Sequence, residues 1–380
     1  MKLGIAAFAA DGGKSGIGQY LVNVIPRLTR LEPTLRTVIF IARSDYALLA
    51  GQVEPAALVA VPDWMARPAV NVLWHLLLLP LLLKRHACDC VWLPAGNRRL
   101  GWWYGVPSVA TVHDLSQLHV QEKYDALRMF YVKRVLPTMM RRLDRVVAVS
   151  ESTRRDLEQY AGVPAERIVV AYNGADLDRF GPARGDDARR RAAAALGTEA
   201  PFILYTARLE HPGKNHVRLL QALAQLKARG SLRHKLVLAG SPWHGAAAIT
   251  AEVERLGLQD DVIFTGFVPD QLLPSLYAAA DLFVFPSLFE GFGIPLLEAM
   301  ISGTPVCAAD VSSIPEVTGD AALLFDPGDA AGIASAMARL LDDAPLARQL
   351  VQRGLTQARR FSWDQAAAGV LAQCRQAAAP

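Results

Sequence analysis

What this chain of 380 residues lacks narrows its class first. It has only four cysteines, Cys88, Cys90, Cys307 and Cys374. They show no zinc-type spacing and include one close pair, so neither a disulfide framework nor a zinc module is expected, and a reducing cytoplasm fits. The longest apolar run, residues 72–83, contains His75 and Pro80 and is far short of the about 20 residues that span a bilayer. It reads as a core helix; because Lys84, Arg85 and His86 follow it, an interfacial membrane anchor is the second reading. No basic stretch exceeds a few residues and the net charge is only +4, which suits anionic small ligands or a membrane surface and argues against nucleic acid as a partner. Disorder is excluded by 52% hydrophobic against 20% charged residues. Residues 1–10 loosely imitate a signal peptide, and a buried first strand accounts for them equally well.

The length exceeds what one hydrophobic core usually fills, so two domains are expected. Apolar, β-branched runs alternate with amphipathic helical segments in both halves, the pattern of parallel sheets with crossover helices. Strands are expected at residues 3–8, 38–42, 90–93, 108–112 and 145–149, then at 202–206, 235–239, 262–265, 282–285 and 305–308. Between the halves, a strand beginning at Ile168 ends in the turn Asn173-Gly174, and the polar stretch 181–187 follows, which places the boundary there. The fold class is therefore α/β, two Rossmann-like doubly wound domains, with ligands at the strand C-termini.

The second half holds the richest segment, residues 285–303. A strand ends, Gly291 and Gly293 make the turn, Pro295 opens a helix and Gly303 closes it. The amides from Gly293 to Leu296 can hold a phosphate at the helix N-terminus. Glu290 precedes the turn and Glu298 falls in the first helical turn, where a carboxylate can accept hydrogen bonds from vicinal hydroxyls. After the first strand of this half, Arg208 and Lys214 are six apart across a Pro-Gly turn and can converge on a diphosphate, Arg by forking two oxygens and Lys as a point charge. Taken singly, each of these residues reads as an ordinary helix-end or loop charge. Their combination makes a site for a phosphate and a polyol.

In the first half, the Gly-rich loop of residues 11–20 follows the first strand and opens a helix. A P-loop would need glycine where Phe8 stands, so an ATPase is disfavoured. A loop closing over phosphates and acceptor suits Gly13, Gly16 and Ile17 better. His113 ends another strand, where an imidazole can hydrogen-bond a sugar hydroxyl; alone it reads as a satisfied structural histidine. His119, His211 and His216 share no helical face, so no metal is expected.

This set of motifs resembles glycosyltransferase family 4, the glycosyl transferases group 1, over nearly the whole chain. Glu290 and Glu298 match its Glu-x7-Glu signature, and Arg208 and Lys214 match its Arg and Lys pair. Gly266-Phe267-Val268-Pro269-Asp270 matches the loop that meets the nucleotide base. Residues 149–153, 172–176 and 361–363 match further family segments, and Gly16-Ile17-Gly18-Gln19-Tyr20 resembles its Gly-Ile-Gly-Arg-Tyr variant, with Gln19 in place of Arg. The resemblance implies a GT-B fold of two domains facing a cleft: residues 1–180 on the acceptor side, 181–361 binding a nucleotide sugar, and 362–380 as a helix returning to the first domain. It implies that Glu290 faces the donor sugar, Glu298 the ribose and His113 the reacting sugar. Arg208 and Lys214 would hold the diphosphate, and Gly291, Phe292, Gly293, Ile294 and Val268 would complete the donor site.

Residues 16–20, together with Leu73-Trp74 and Leu79-Pro80, resemble bacterial polysaccharide mannosyltransferases. That implies GDP-mannose as donor; the apolar run 72–83 and the basic residues after it suggest a lipid-linked acceptor, or another glycan, with a peripheral inner-membrane contact, and no cofactor beyond the donor is expected. A nucleotide-sugar epimerase of the same fold, or a non-catalytic interaction protein, remains the alternative.

Overall fold

A computed structural model describes residues 1–120, 129–182, 187–230 and 233–379. Part of the polar stretch 181–187 lies outside these residues. The chain divides into two compact units, Met1–Gly174 with Ser362–Pro380, and Ala175–Phe361. The break thus precedes residue 180, because Phe180 packs edge-on against Tyr277 and Arg179 pairs with Asp270, both of the second unit.

Each unit is a parallel sheet. The first contains β1 (Lys2–Ala7), β2 (Arg36–Ala42), β3 (Leu58–Val61), β4 (Cys90–Leu93), β5 (Ser108–Val112), β6 (Arg145–Ala148) and β7 (Ile168–Val170), in the order β3-β2-β1-β4-β5-β6-β7. The second contains β8 (Phe202–Thr206), β9 (Lys235–Ala239), β10 (Val262–Gly266), β11 (Leu282–Phe285), β12 (Val306–Ala309) and β13 (Leu323–Phe325), in the order β10-β9-β8-β11-β12-β13. The strand order reverses between β1 and β4 in one unit and between β8 and β11 in the other. In open α/β sheets the crevice at such a reversal, at the strand C-termini, is where ligands bind. The expected central strands lie within one or two residues of these bounds. The short edge strands β3 and β13 were not expected. The N-terminal run that imitates a signal peptide is β1, in the middle of its sheet and buried from Leu3 onward.

The helix Trp363–Ala378 belongs to the first unit. Ser362 caps it by accepting the Gln365 amide, and Trp363 meets Tyr20 edge-on at 6.1 Å. Asp364 pairs with Arg27 and Arg30, and Arg375 pairs with Glu32. Two glycines let the chains close: a Cβ on Gly174 would lie 2.2 Å from the Trp363 amide nitrogen, and one on Gly369 would lie 2.7 Å from the Ala171 methyl.

The apolar run of residues 72–83 divides its two faces. It is helical throughout, Pro68–Leu73, a wider π turn at Trp74–Leu78, then Leu79–Arg85. Trp74, His75, Leu79 and Leu83 are buried, whereas Leu73, Leu77 and Leu81 are 55%, 63% and 64% exposed. It is thus core on one side and bare apolar surface on the other. Among the described residues no helix is long and apolar enough to cross a membrane.

Candidate functional site

In the second unit, Arg208 and Lys214 follow the C-terminus of β8, and Glu290 follows that of β11, its neighbour across the strand-order reversal. The two loops meet. Lys214 Nζ lies 2.6 Å from Glu290 Oε1, with both side chains largely buried, and the Leu288 amide donates to the Gly213 carbonyl. Tyr205 donates its hydroxyl to the Lys214 carbonyl at 2.7 Å. Asn215 adopts a left-handed φ of 57° and donates from its side chain to the carbonyls of Pro286 and Pro327. These bonds hold the backbone of one loop to that of the other, so the ion pair rests on a fixed frame.

Glu290 is fastened from its other side by Ser312 and Ser313. Its amide donates to Ser312 Oγ at 3.0 Å, and Ser313 Oγ donates to the carbonyls of Glu290 and Phe292. Phe292 is itself buried against Phe361, so its ring belongs to the core. Gly291 and Gly293 are buried as well. Gly293 is the N-cap of the helix Ile294–Ile301 at φ 95°, a conformation glycine adopts without strain.

The helix entry differs from expectation in two respects. Pro295 is the second helical residue and has no N–H, and the Leu296 amide is taken by the Gly293 carbonyl at 3.0 Å. The amides of Gly293 and Ile294 therefore remain for an anion, fewer than the run to Leu296 suggested. Glu298 lies in the second turn of this helix, because the helix begins at Ile294. It is partly buried and accepts a hydrogen bond from the Tyr277 hydroxyl at 2.8 Å. Tyr277 in turn lies 2.6 Å from Thr206 Oγ1 at the end of β8. Burial pushes the Glu298 carboxyl up to about 7, against the opposing pull of the Tyr277 hydrogen bond and the nearby Arg179 charge.

Arg208 is half-buried, with Nη2 3.3 Å from Glu210, a buried acid. Val268 is partly buried in the loop after β10, beside the exposed Phe267. Arg179 donates to the Asp270 carbonyl and pairs with its carboxylate, tying the turn before residue 180 to that loop. Sequence reasoning missed Tyr277, Thr206, Asn215, Ser312 and Ser313. Only the left-handed Asn215, next to Lys214, carries a local signal.

In the first unit, Gly13, Gly16 and Ile17 follow β1, and His113 follows β5. Asp45 accepts the Gly12 amide, Ser15 caps the helix Gly16–Leu31, and Gln19 donates to the Gly13 carbonyl at 2.8 Å. Gln19, where the family variant carries Arg, thus anchors the Gly-rich loop. Gly13 sits at φ 78°, Gly16 is exposed with open space around its Cα, and Ile17 is buried. His113 is 8% exposed, meets Tyr20 edge-on at 4.8 Å, and has Nε2 2.8 Å from the Pro94 carbonyl. Burial lowers its imidazole to about 4, so it is neutral at physiological pH, Nε2 carries the hydrogen, and Nδ1 is the acceptor. Such a ring can receive a hydroxyl hydrogen and cannot serve as an acid.

His119 is bonded to Asp156, and Asp176 accepts the amides of Asp178 and Arg179 within its own turn. Among the described residues no three His, Cys, Asp or Glu side chains gather where they could hold a metal. All four cysteines are free and buried.

The chain is similar to known proteins over both units. The pattern described as "Glycosyltransferase Family 4" matches residues 14–179, and that described as "Glycosyl transferases group 1" matches residues 186–357. The chain is 34% identical over 257 residues to the O-antigen chain mannosyltransferase B of Escherichia coli, covering 68% of this chain and 67% of that one. It is also 34% identical over 263 residues to the serotype-specific mannosyltransferase WbdA of Escherichia coli, covering 67% of this chain but only 32% of WbdA. The structure of Anabaena HepE with UDP and glucose superposes with a TM-score of 0.78 at 22% identity, over 97% of each chain, and shows the GT-B fold.

Proposed function

Since the chain belongs to the glycosyl transferases group 1 of family 4, we propose that it transfers mannose from GDP-mannose, with retention, onto a glycan or lipid-linked oligosaccharide of a bacterial surface polysaccharide. The observation that carries this reading is the Lys214 and Glu290 ion pair at the β8/β11 reversal, beside a helix entry with two unpaired amides. Arg208, Lys214 and those amides stabilise the departing diphosphate, whose charge grows in the transition state. Glu298 accepts the ribose hydroxyls and Glu290 those of the donor sugar, and the loop at Val268 meets the base. The acceptor oxygen bonds to the anomeric carbon as the bond to the diphosphate breaks. Its proton passes to the leaving phosphate oxygen on the same face, which gives retention. His113, accepting through Nδ1, orients a sugar hydroxyl, and Gly13, Gly16 and Ile17 serve the acceptor side. No metal or further cofactor is assigned a step.

Support for mannose comes from the two mannosyltransferases among the relatives. Support for a lipid-borne acceptor comes from the exposed Leu73, Leu77 and Leu81, with the exposed Lys84 and Arg85 at the helix end. Glu290→Ala should lower kcat at least about a hundred-fold in protein that is still folded at the assay temperature; near-normal turnover removes the assignment. Anionic liposomes should float the protein at low salt and fail to float the Leu77→Asp/Leu81→Asp variant. Wild-type protein that stays at the bottom of the gradient contradicts the membrane contact.

A further inference from the structure

The guanidinium of Arg208 is gripped by a residue outside every motif considered so far. Beyond the ends of β8 and β9 their loops stay side by side. Ala207 donates its amide to the Ala239 carbonyl at 3.1 Å, Leu209 to Ser241 at 3.0 Å, Trp243 to Leu209 at 3.1 Å and His211 to His244 at 3.0 Å. Glycines permit this approach. A Cβ on Gly240 would stand 2.0 Å from the Ala207 carbonyl oxygen, and Gly245, at φ 77°, lies against His211. The pairing sets Trp243 beside Arg208, with the guanidinium carbon 4.7 Å from the indole centroid.

We propose that Trp243 is a positioning residue for the leaving diphosphate, acting through Arg208; this rests on the reading of Arg208 as a diphosphate ligand. The two contacts Arg208 makes are not equivalent. Glu210 occupies Nη2 along a hydrogen-bonding direction, which a phosphate oxygen would contest. An indole beneath a guanidinium draws on its face, while phosphate oxygens are forked by N–H groups lying in its plane. The stack therefore persists when the diphosphate arrives, and it restrains the plane from which Nε and Nη1 donate. Trp243 is 55% exposed, a large apolar area left at the mouth of the β8 and β9 loops rather than packed into the core.

Because the stack is present with and without the diphosphate, its loss costs the ordering of one long side chain on binding, about a 2- to 12-fold change in affinity. The test is calorimetric binding of GDP and UDP to the full chain as wild type, Trp243→Ala, Trp243→Leu, Trp243→Phe, Arg208→Ala and the Trp243→Ala/Arg208→Ala double variant. Both Trp243→Ala and Trp243→Leu should weaken the nucleotide that wild type binds by that factor, and Trp243→Phe should recover most of it. In the Arg208→Ala background, Trp243→Ala should change nothing further. The inference is overturned if Trp243→Leu binds like wild type, or if Trp243→Ala costs as much without Arg208, which would mean the indole touches the nucleotide itself. If Arg208→Ala alone leaves binding unchanged, the diphosphate reading falls, a result separate from additivity in the cycle.

Discussion

Glu298 shows how much a side chain's surroundings add to its identity. A carboxyl held near 7 is half protonated at neutral pH, and only the ionised form offers acceptors to both ribose hydroxyls. Donor binding should therefore release a proton, and the KM for donor should fall as pH rises from 6 to 8. Glu298→Gln should flatten that dependence, while Tyr277→Phe, which removes the hydrogen bond that favours the ionised form, should move it to higher pH. A wild-type donor KM that does not change between pH 6 and 8 contradicts this. The acid pair itself was legible, because Glu290 and Glu298 flank a glycine turn and a helix start within nine residues of sequence. Tyr277, Ser312 and Ser313 were not, since they reach the site from other segments and nothing in their own neighbourhoods marks them. His113 was legible as a strand-end residue; that one nitrogen is already spent on Pro94 was not.

At the level of elements, backbone crossings fix what side chains then use. Gly174 passes so close to the Ser362-Trp363 peptide that any Cβ there meets backbone, which cannot swing aside. Gly174→Ala should destabilise the first unit by about 2–4 kcal/mol, read from denaturant midpoints; a midpoint equal to wild type would show that the C-terminal helix is not seated there. The central strands were readable because each is a short continuous apolar run with turn residues on both sides. The edge strands β3 and β13 escaped because apolar runs of only four and three residues, partly exposed, are too short to stand out from the apolar segments around them. The wider turn in the helix at residues 68–85 was likewise unreadable, whereas its ambiguous character, part core and part exposed, was already in the composition.

Across the whole molecule, acid should act unevenly. Burial lowers His75 and His113 in the first unit and His216 in the second to about 4 each, from an ordinary value near 6.5. Unfolding lets each take a proton, so the stability tied to them is fully present above about 6.5 and is lost as pH falls towards 4, up to about 3 kcal/mol per residue. Glu298 has the opposite sign, because its raised pKa penalises the second unit as pH rises from 4.5 to 7 and relieves it on acidification. The first unit should thus lose stability before the second between pH 6.5 and 4.5, seen by tryptophan fluorescence and hydrogen exchange. Simultaneous loss would contradict the assignment. The most direct measurement of the central claim is product analysis after incubation with a panel of nucleotide sugars and a lipid-linked acceptor in vesicles. The account predicts GDP released in step with a mannosylated acceptor of retained configuration, and none of either from Glu290→Ala. An epimerised sugar nucleotide, or no turnover with any donor, would contradict it.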